Sequence, residues 1–221
     1  MFMGLPYQGK TTAAHTLIQL LEKHPRYRDR EFGYISTDNC RSEIRQWYGT
    51  SKPYDYSERE EKDAWELFLH KMMSFLALAP TNSVLILDGT FTSWSKIVDV
   101  FDVLTMNIDS YASQRLPLVI DLIHIGSQFG EDIWRPTDLA LATNPSVAER
   151  WNERCTNNRR NGLTPEIPEE VFHKKFLEMQ STLSLLVSIC KKYTTDFRGC
   201  IYFARHFLNH HPRRHEIKKI I

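Results

Sequence analysis

The sequence predicts an α/β domain built on a parallel sheet, and three observations carry that reading. Short apolar runs alternate along the chain with segments of helical spacing; one apolar run leads through a glycine turn into a helix; another ends in a carboxylate. With 221 residues, 42% of them hydrophobic and 25% charged, there is enough chain for one sizeable core and too little for two ordinary domains with linkers. A single domain over 1–221 is therefore expected.

The elements follow in order. Met1–Met3 is apolar and reads as the end of a first strand, after which Thr12–Leu21 places Ala13, Leu17, Leu20 and Leu21 at helical spacing. Phe32–Thr37 reads as a second strand ending at Asp38, and Glu61–Leu78 sets Trp65, Phe68, Leu69, Met72, Phe75 and Leu76 on one helical face. Ser83 to Asp88 is a short continuous apolar run, the pattern of a strand buried on both faces. Lys96–Leu104 is helical in spacing, Leu116–Ile125 is apolar and β-branched enough for a strand, 168–192 contains a long helix, and Cys200–Phe203 is a last strand. Loops are expected at Thr50–Pro53 and 126–145. In a parallel sheet ligands bind beyond the carboxyl ends of the strands, so Gly4, Asp38 and Asp88 should gather along one edge.

Formal net charge is +1, from 28 Lys+Arg against 27 Asp+Glu, so bulk charge neither demands nor excludes a nucleic-acid partner. Cys40, Cys155, Cys190 and Cys200 show no C-x-x-C spacing, and the chain's start does not resemble a signal peptide, so a reduced, cytoplasmic setting is expected. The longest apolar runs, Leu183–Ile189 and Val84–Leu87, fall short of the roughly 20 residues that span a bilayer, and no membrane role is expected.

The sharpest motif is Gly4-Leu5-Pro6-Tyr7-Gln8-Gly9-Lys10-Thr11, which fits G-x-x-x-x-G-K-[ST] between a strand end and an amphipathic helix. Its glycines let successive N–H groups turn inward around phosphates, and the helix N-terminus adds positive potential. Gly4, Tyr7, Gln8, Gly9, Lys10, Thr11 and Thr12 are thus the expected nucleoside triphosphate contacts, with Lys10 reaching the β/γ oxygens and the Thr11 hydroxyl ligating Mg²⁺. ATP and GTP are both open as donor. The plain alternative is a strand-to-helix turn with Lys10 a solvated surface residue.

Asp38 ends the second strand in Ile35-Ser36-Thr37-Asp38-Asn39-Cys40-Arg41, where a carboxylate would face the loop and take the proton of a hydroxyl acceptor. Arg41 lies close enough to bind an anionic part of that acceptor. The structural alternative makes Asp38 the N-cap of a helix beginning at Asn39. Asp88, after the third strand, would hold a metal-bound water or orient the loop.

On these residues the chain resembles the phage-type 5′-polynucleotide kinases and related small P-loop kinases. The likeness rests on Gly4–Thr11, on Asp38-x-x-Arg41, on Tyr54-Asp55-Tyr56-Ser57-Glu58-Arg59-Glu60-Glu61, and on Leu87-Asp88-Gly89-Thr90, where the family has Asp-Thr-Asn. It covers roughly the first hundred residues and resumes in an arginine-rich segment. It implies a P-loop kinase fold, Asp38 as general base, Arg41 on a phosphate of the acceptor strand, and Asp88 and Thr90 on the substrate side. Gly89, Phe91 and the inserted 126–145 depart from the family pattern and leave the acceptor open.

Arg150-Trp151-Asn152-Glu153-Arg154 and Arg159-Arg160-Asn161-Gly162 are similar to the lid of such kinases, expected over about 150–165. There Arg154 would stabilise transferring charge, and Arg159 and Arg160 would hold the triphosphate. A solvated helix face with Arg150 and Arg154 paired to glutamates is the alternative. His206, His210, His211 and His215 have no standard zinc spacing and read as part of a basic tail. One of Trp47, Tyr48, Tyr54 and Tyr56 is a candidate platform for an acceptor base. The expected activity is Mg²⁺-dependent transfer of a γ-phosphate to the 5′-hydroxyl of a nucleic acid or nucleotide. The alternatives are a kinase of a small metabolite, sugar nucleotide or modified base, and a nucleotide switch or hydrolase. Oligomeric state is not legible.

Overall fold

Five parallel strands form the centre of the computed structural model: β1 (Phe2–Met3), β2 (Phe32–Ser36), β3 (Val84–Asp88), β4 (Leu118–Gly126) and β5 (Ile201–Asn209), in the order β2-β3-β1-β4-β5. The structure describes residues 1–6, 9–49, 57–80, 82–106, 118–126, 201–209 and 214–221, together with helical positions 170, 171, 174, 175, 177–179, 181, 182, 185, 186 and 188. Helices α1 (Lys10–Lys23), α2 (Thr37–Trp47), α3 (Glu58–Leu78) and α4 (Trp94–Met106) join the first four strands, and a short helix, Arg214–Ile217, runs into a 3₁₀ turn at Lys218–Ile220.

Side chains along the strands alternate between two cores, as the two-residue period of a strand requires. Phe2, Ile86, Ile123 and Ile125 pack with Ala13, Ala14, Leu17 and Leu21 of α1 and with Ile217. Met3, Ile35, Leu87, Ile120 and Leu122 pack on the other side with Ile44 of α2, Phe68 and Met72 of α3, Ile97 and Phe101 of α4, and Met179 and Leu186. The α/β expectation and the alternation of strand and helix hold, with helices on both faces of one sheet. No helix among the described residues is long and apolar enough to cross a membrane.

Boundaries at β5 and at the start of α2 differ from the sequence reading in ways that matter for the site. β5 extends to Asn209 because it pairs with β4 residue for residue from Leu118↔Ile201 to Gly126↔Asn209. β2 stops at Ser36, and α2 begins at Thr37 rather than Asn39. Ser36, extended at φ −118 and ψ 137, is the N-cap, its Oγ accepting the Asp38 N–H at 3.2 Å. Asp38 is therefore not the cap; it lies in the first helical turn with its carboxylate free for other partners. Ser57 caps α3 in the same way, accepting from the Glu60 N–H, and Glu58, Glu60 and Glu61 put negative charge where the helix dipole favours it.

The strand order fixes where a ligand can bind. After β1 the chain leaves for β2 on one side of the sheet, whereas after β3 it leaves for β4 on the other. β1 and β3 are neighbours, so the loops following them diverge and open a crevice at the carboxyl ends of the strands. The register sets Ser36 opposite Asp88, and Asp88 opposite Phe2, so all three strand ends meet there.

Candidate functional site

The loop after β1 closes onto α1 through Gly9, which caps the helix at φ 85 and ψ 21, a left-handed conformation that glycine adopts without a Cβ clash. The Gly9 carbonyl accepts the Ala13 N–H at 2.9 Å, and the Gly4 N–H donates to the Thr90 carbonyl at 3.2 Å, tying this loop to the one after β3. Tyr7 and Gln8 lie outside the described residues. Thr12 is exposed in the first turn of α1.

Lys10 is not the solvated residue of the plain alternative. It is 8% exposed, and its Nζ donates to the Leu5 carbonyl at 2.7 Å across the loop. Burial pulls its pKa below the ordinary lysine value; the carboxylates of Asp88 and Asp38 oppose that shift and Lys175 adds to it. Asp38 and Asp88 thus both act on the loop lysine, as the convergence of strand ends requires.

Asp88 is 2% exposed. Its Oδ2 accepts the Thr11 hydroxyl at 2.6 Å and the Tyr34 hydroxyl at 2.7 Å. These bonds tie the end of β3 to the first turn of α1 and to β2. The carboxylate is covered and is held against Thr11. Burial, and then the Asp88 charge, push the Tyr34 pKa well above the ordinary phenol range, so Tyr34 stays a neutral donor. Its ring lies against His15, with centroids 4.8 Å apart.

Asp38 stands at the rim with its side chain 70% exposed and its carboxylate paired with the Arg41 guanidinium, three residues on. Arg41 also makes a fork to Glu61, with Nε on Oε1 and Nη2 on Oε2, the latter at 3.0 Å. The bidentate geometry fixes the guanidinium plane. Glu61 comes from the first turn of α3, which packs on α2, so the position of Arg41 depends on both helices.

The loop after β3 is tightly built. A Cβ at Gly89 would lie 3.0 Å from both Thr37 Cγ2 and the Phe91 ring, so the start of α2 approaches closely because residue 89 is glycine. Phe91 is buried at φ 44, and its ring meets Trp65 and Phe68 edge-on. That turn delivers Thr92 to the helical positions between 170 and 188: its hydroxyl donates to Glu178 Oε2 at 3.2 Å, and its carbonyl accepts from the Thr182 hydroxyl at 2.6 Å.

Gly4, Gly9, Lys10, Thr11, Asp38, Arg41, Asp88 and Thr90 are brought together, Thr90 through its carbonyl. Arg154, Arg159 and Arg160, with the rest of the expected lid, lie outside the described residues, as do Tyr54, Tyr56, His210 and His211. His206 sits in β5 with Nε2 2.9 Å from Asp121 Oδ1. Tyr34, Glu61 and Thr92 join the site without having been singled out for it. Only Glu61 had a signal, as the end of the acidic stretch noted above.

No family model matches the chain, and no curated protein does. Among solved structures, a protein from Chloroflexus aurantiacus that has been proposed to be a kinase aligns with a TM-score of 0.47 and 16% identity, covering 79% of this chain and 75% of that one.

Proposed function

We propose that the protein is a phosphotransferase that moves the γ-phosphate of a nucleoside triphosphate, ATP or GTP, onto a hydroxyl group. The observation that carries this reading is the entry into α1 through a left-handed Gly9 at the β1/β3 crevice, with buried Lys10 in the first turn and a second, exposed carboxylate, Asp38, at the adjoining strand end. The N-terminus of α1 and the loop amides suit the β- and γ-phosphates, and Lys10 exchanges the Leu5 carbonyl for a phosphate oxygen when the donor binds.

Thr11 and Asp88 offer adjoining hard oxygens, a donor set that fits Mg²⁺, which takes one or two protein oxygens and completes its shell with phosphate and water. Bound there, the ion would neutralise charge on the phosphates. Asp38 accepts the acceptor's proton as its oxygen forms the bond to phosphorus and the bond to the β-phosphate oxygen breaks, giving the nucleoside diphosphate and a phosphate ester. Arg41, braced by Glu61, holds the acceptor. Arg154, Arg159 and Arg160 are assigned to the lid on the resemblance alone, and the 5′-hydroxyl of a nucleic acid or nucleotide is the acceptor class that resemblance favours.

The test is γ-labelled ATP with Mg²⁺ and a panel of 5′-hydroxyl oligonucleotides, nucleosides, nucleotides and sugar nucleotides, run with the native protein and with Asp38→Asn. Label on an organic acceptor, reduced about 10²–10⁴-fold in the variant while ATP still binds, is the expected result. Label on free phosphate alone, unchanged by Asp38→Asn, would make the protein a hydrolase or switch.

A further inference from the structure

We infer that Thr182 is a positioning residue for the loop after β1. Through its bond to Thr92 it holds the Asp88–Thr92 turn in the conformation that presents the Thr90 carbonyl to Gly4 and the Asp88 carboxylate to Thr11. The inference rests on the kinase reading only for what that loop binds.

Five consecutive residues of the turn each meet a different part of the molecule. Asp88 Oδ2 accepts the Thr11 hydroxyl at 2.6 Å, Gly89 backs onto Thr37 at the start of α2, and the Thr90 carbonyl accepts the Gly4 N–H at 3.2 Å. The Phe91 ring meets Trp65 and Phe68 of α3, and Thr92 bonds to Glu178 and Thr182. A shift at Thr92 therefore reaches the partners of both Gly4 and Thr11 within four residues of chain.

Phe91 is the reason the turn has to be clamped. Its φ of 44 is left-handed, a conformation that a bulky aromatic residue adopts at a cost and keeps only where its surroundings over-determine it. The peptide before it is held by Gly4. The residue after it is held twice: the Thr92 carbonyl accepts the Thr182 hydroxyl at 2.6 Å, and the Thr92 hydroxyl donates to Glu178 Oε2 at 3.2 Å. Thr92 is 2% exposed and Thr182 1%, so water does not replace a bond that is lost. Helical positions 178, 179, 182 and 186 recur at three- and four-residue spacing and share one face, on which Met179 and Leu186 enter the core. Apolar contacts of that kind hold the segment on the sheet but tolerate small slides. A short bond to a carbonyl is directional and fixes the register between the segment and the turn. Without the Thr182 hydroxyl, Phe91 relaxes out of the left-handed region, and the Thr90 carbonyl turns away from Gly4.

Two measurements test this on the full chain with Thr182→Val, Thr182→Ser and Leu186→Ala, the last removing a core contact of the same segment and no hydrogen bond. Amide exchange, followed by NMR without nucleotide, reads the Gly4 N–H against the Leu85–Leu87 amides of β3, which report global opening. Relative to them, Gly4 should exchange about tenfold faster in Thr182→Val and at the native ratio in Thr182→Ser and Leu186→Ala. Calorimetry with Mg²⁺ and the β,γ-imido analogue of ATP reads the consequence. Affinity should fall about tenfold in Thr182→Val, return in Thr182→Ser, and stay within about twofold of native in Leu186→Ala although its melting temperature drops. An unchanged Gly4 ratio in Thr182→Val, a Thr182→Ser protein that behaves like Thr182→Val, or an equal acceleration in Leu186→Ala would each overturn the inference, as would a loosened Gly4 with native affinity for the analogue. Faster Gly4 exchange, restored in Thr182→Ser, in a protein that binds no nucleotide keeps the positioning role and removes the kinase reading. Nucleotide binding and transfer with Gly4 indifferent to Thr182 does the reverse.

Discussion

Lys10 carries a charge where a fold gains little from one, buried and tied to a carbonyl of its own loop. Its pKa lies below the ordinary value, so the charged form is disfavoured in the folded state. That cost is present in full below the lowered pKa and disappears as the pH rises toward the ordinary lysine value. Lys10→Met keeps the apolar stem and removes the charge. It should abolish transfer, by about 10²-fold or more, while leaving the melting temperature equal or higher; kinetics and a thermal scan check the two halves. Tyr34 has the opposite sign. Its pKa is raised in the fold, so the stability it contributes is complete below the ordinary phenol value of about 10 and is lost as the pH climbs beyond it. Tyr34→Phe should flatten the loss of stability above that pH. It should also raise the Mg²⁺ concentration for half-maximal activity by about tenfold, since Asp88 loses one of the two hydroxyls that orient it.

At the scale of elements, the start of α2 carries the candidate base, and Ser36 sets that start. Its hydroxyl holds the Asp38 N–H, and the two-residue offset between cap and carboxylate leaves the Asp38 side chain for Arg41. Ser36→Ala should cost about 1 kcal/mol of stability. In a chain of this size that corresponds to a fall in melting temperature of about 2–4 °C. Turnover should fall with it because the first turn loosens under Asp38, and Ser36→Thr should restore both, as thermal scans and initial rates will show. α3 plays the supporting part: Ser57 starts it, Glu61 in its first turn grips Arg41, and Trp65, one turn further, meets the Phe91 ring. One amphipathic helix thus serves the core with Phe68 and Met72 and the crevice with Glu61 and Trp65.

At the scale of the molecule, the two cores are separated by one sheet, and the crevice lies at its edge between elements from both faces. α1, with Lys10 and Thr11, belongs to one core, whereas α2, α3 and α4 belong to the other. A donor seated on α1 and opposite Asp38 should therefore stabilise both. Cys40 reports on this, because it is wholly buried in the second core and burial pushes its thiol pKa up to about 11. Its alkylation at pH 8 requires opening of the structure. Saturating ATP with Mg²⁺ should slow labelling of the Cys40 peptide, by about 100-fold at a ligand concentration 100 times the dissociation constant, as followed by mass spectrometry.

The sequence by itself determined the elements and the glycine turn into α1, because both are written in short stretches. The period of apolar residues depends on which neighbours are buried, and Gly4–Thr11 depends on backbone freedom at Gly9 and on side chains one turn away. Asp38 and Arg41 were legible for the same reason, being three residues apart on one helix. The tertiary structure decided what has no local signature. Asp88 meets Thr11 across 77 residues and Tyr34 across 54, and only the order β2-β3-β1-β4-β5 brings those strand ends side by side. Glu61 reaches Arg41 from another helix, and Glu178 and Thr182 meet Thr92 across 86 and 90 residues of chain. A lysine in a helical pattern looks the same whether it faces water or a phosphate; the packing of distant elements removes the water and gives the charge its meaning.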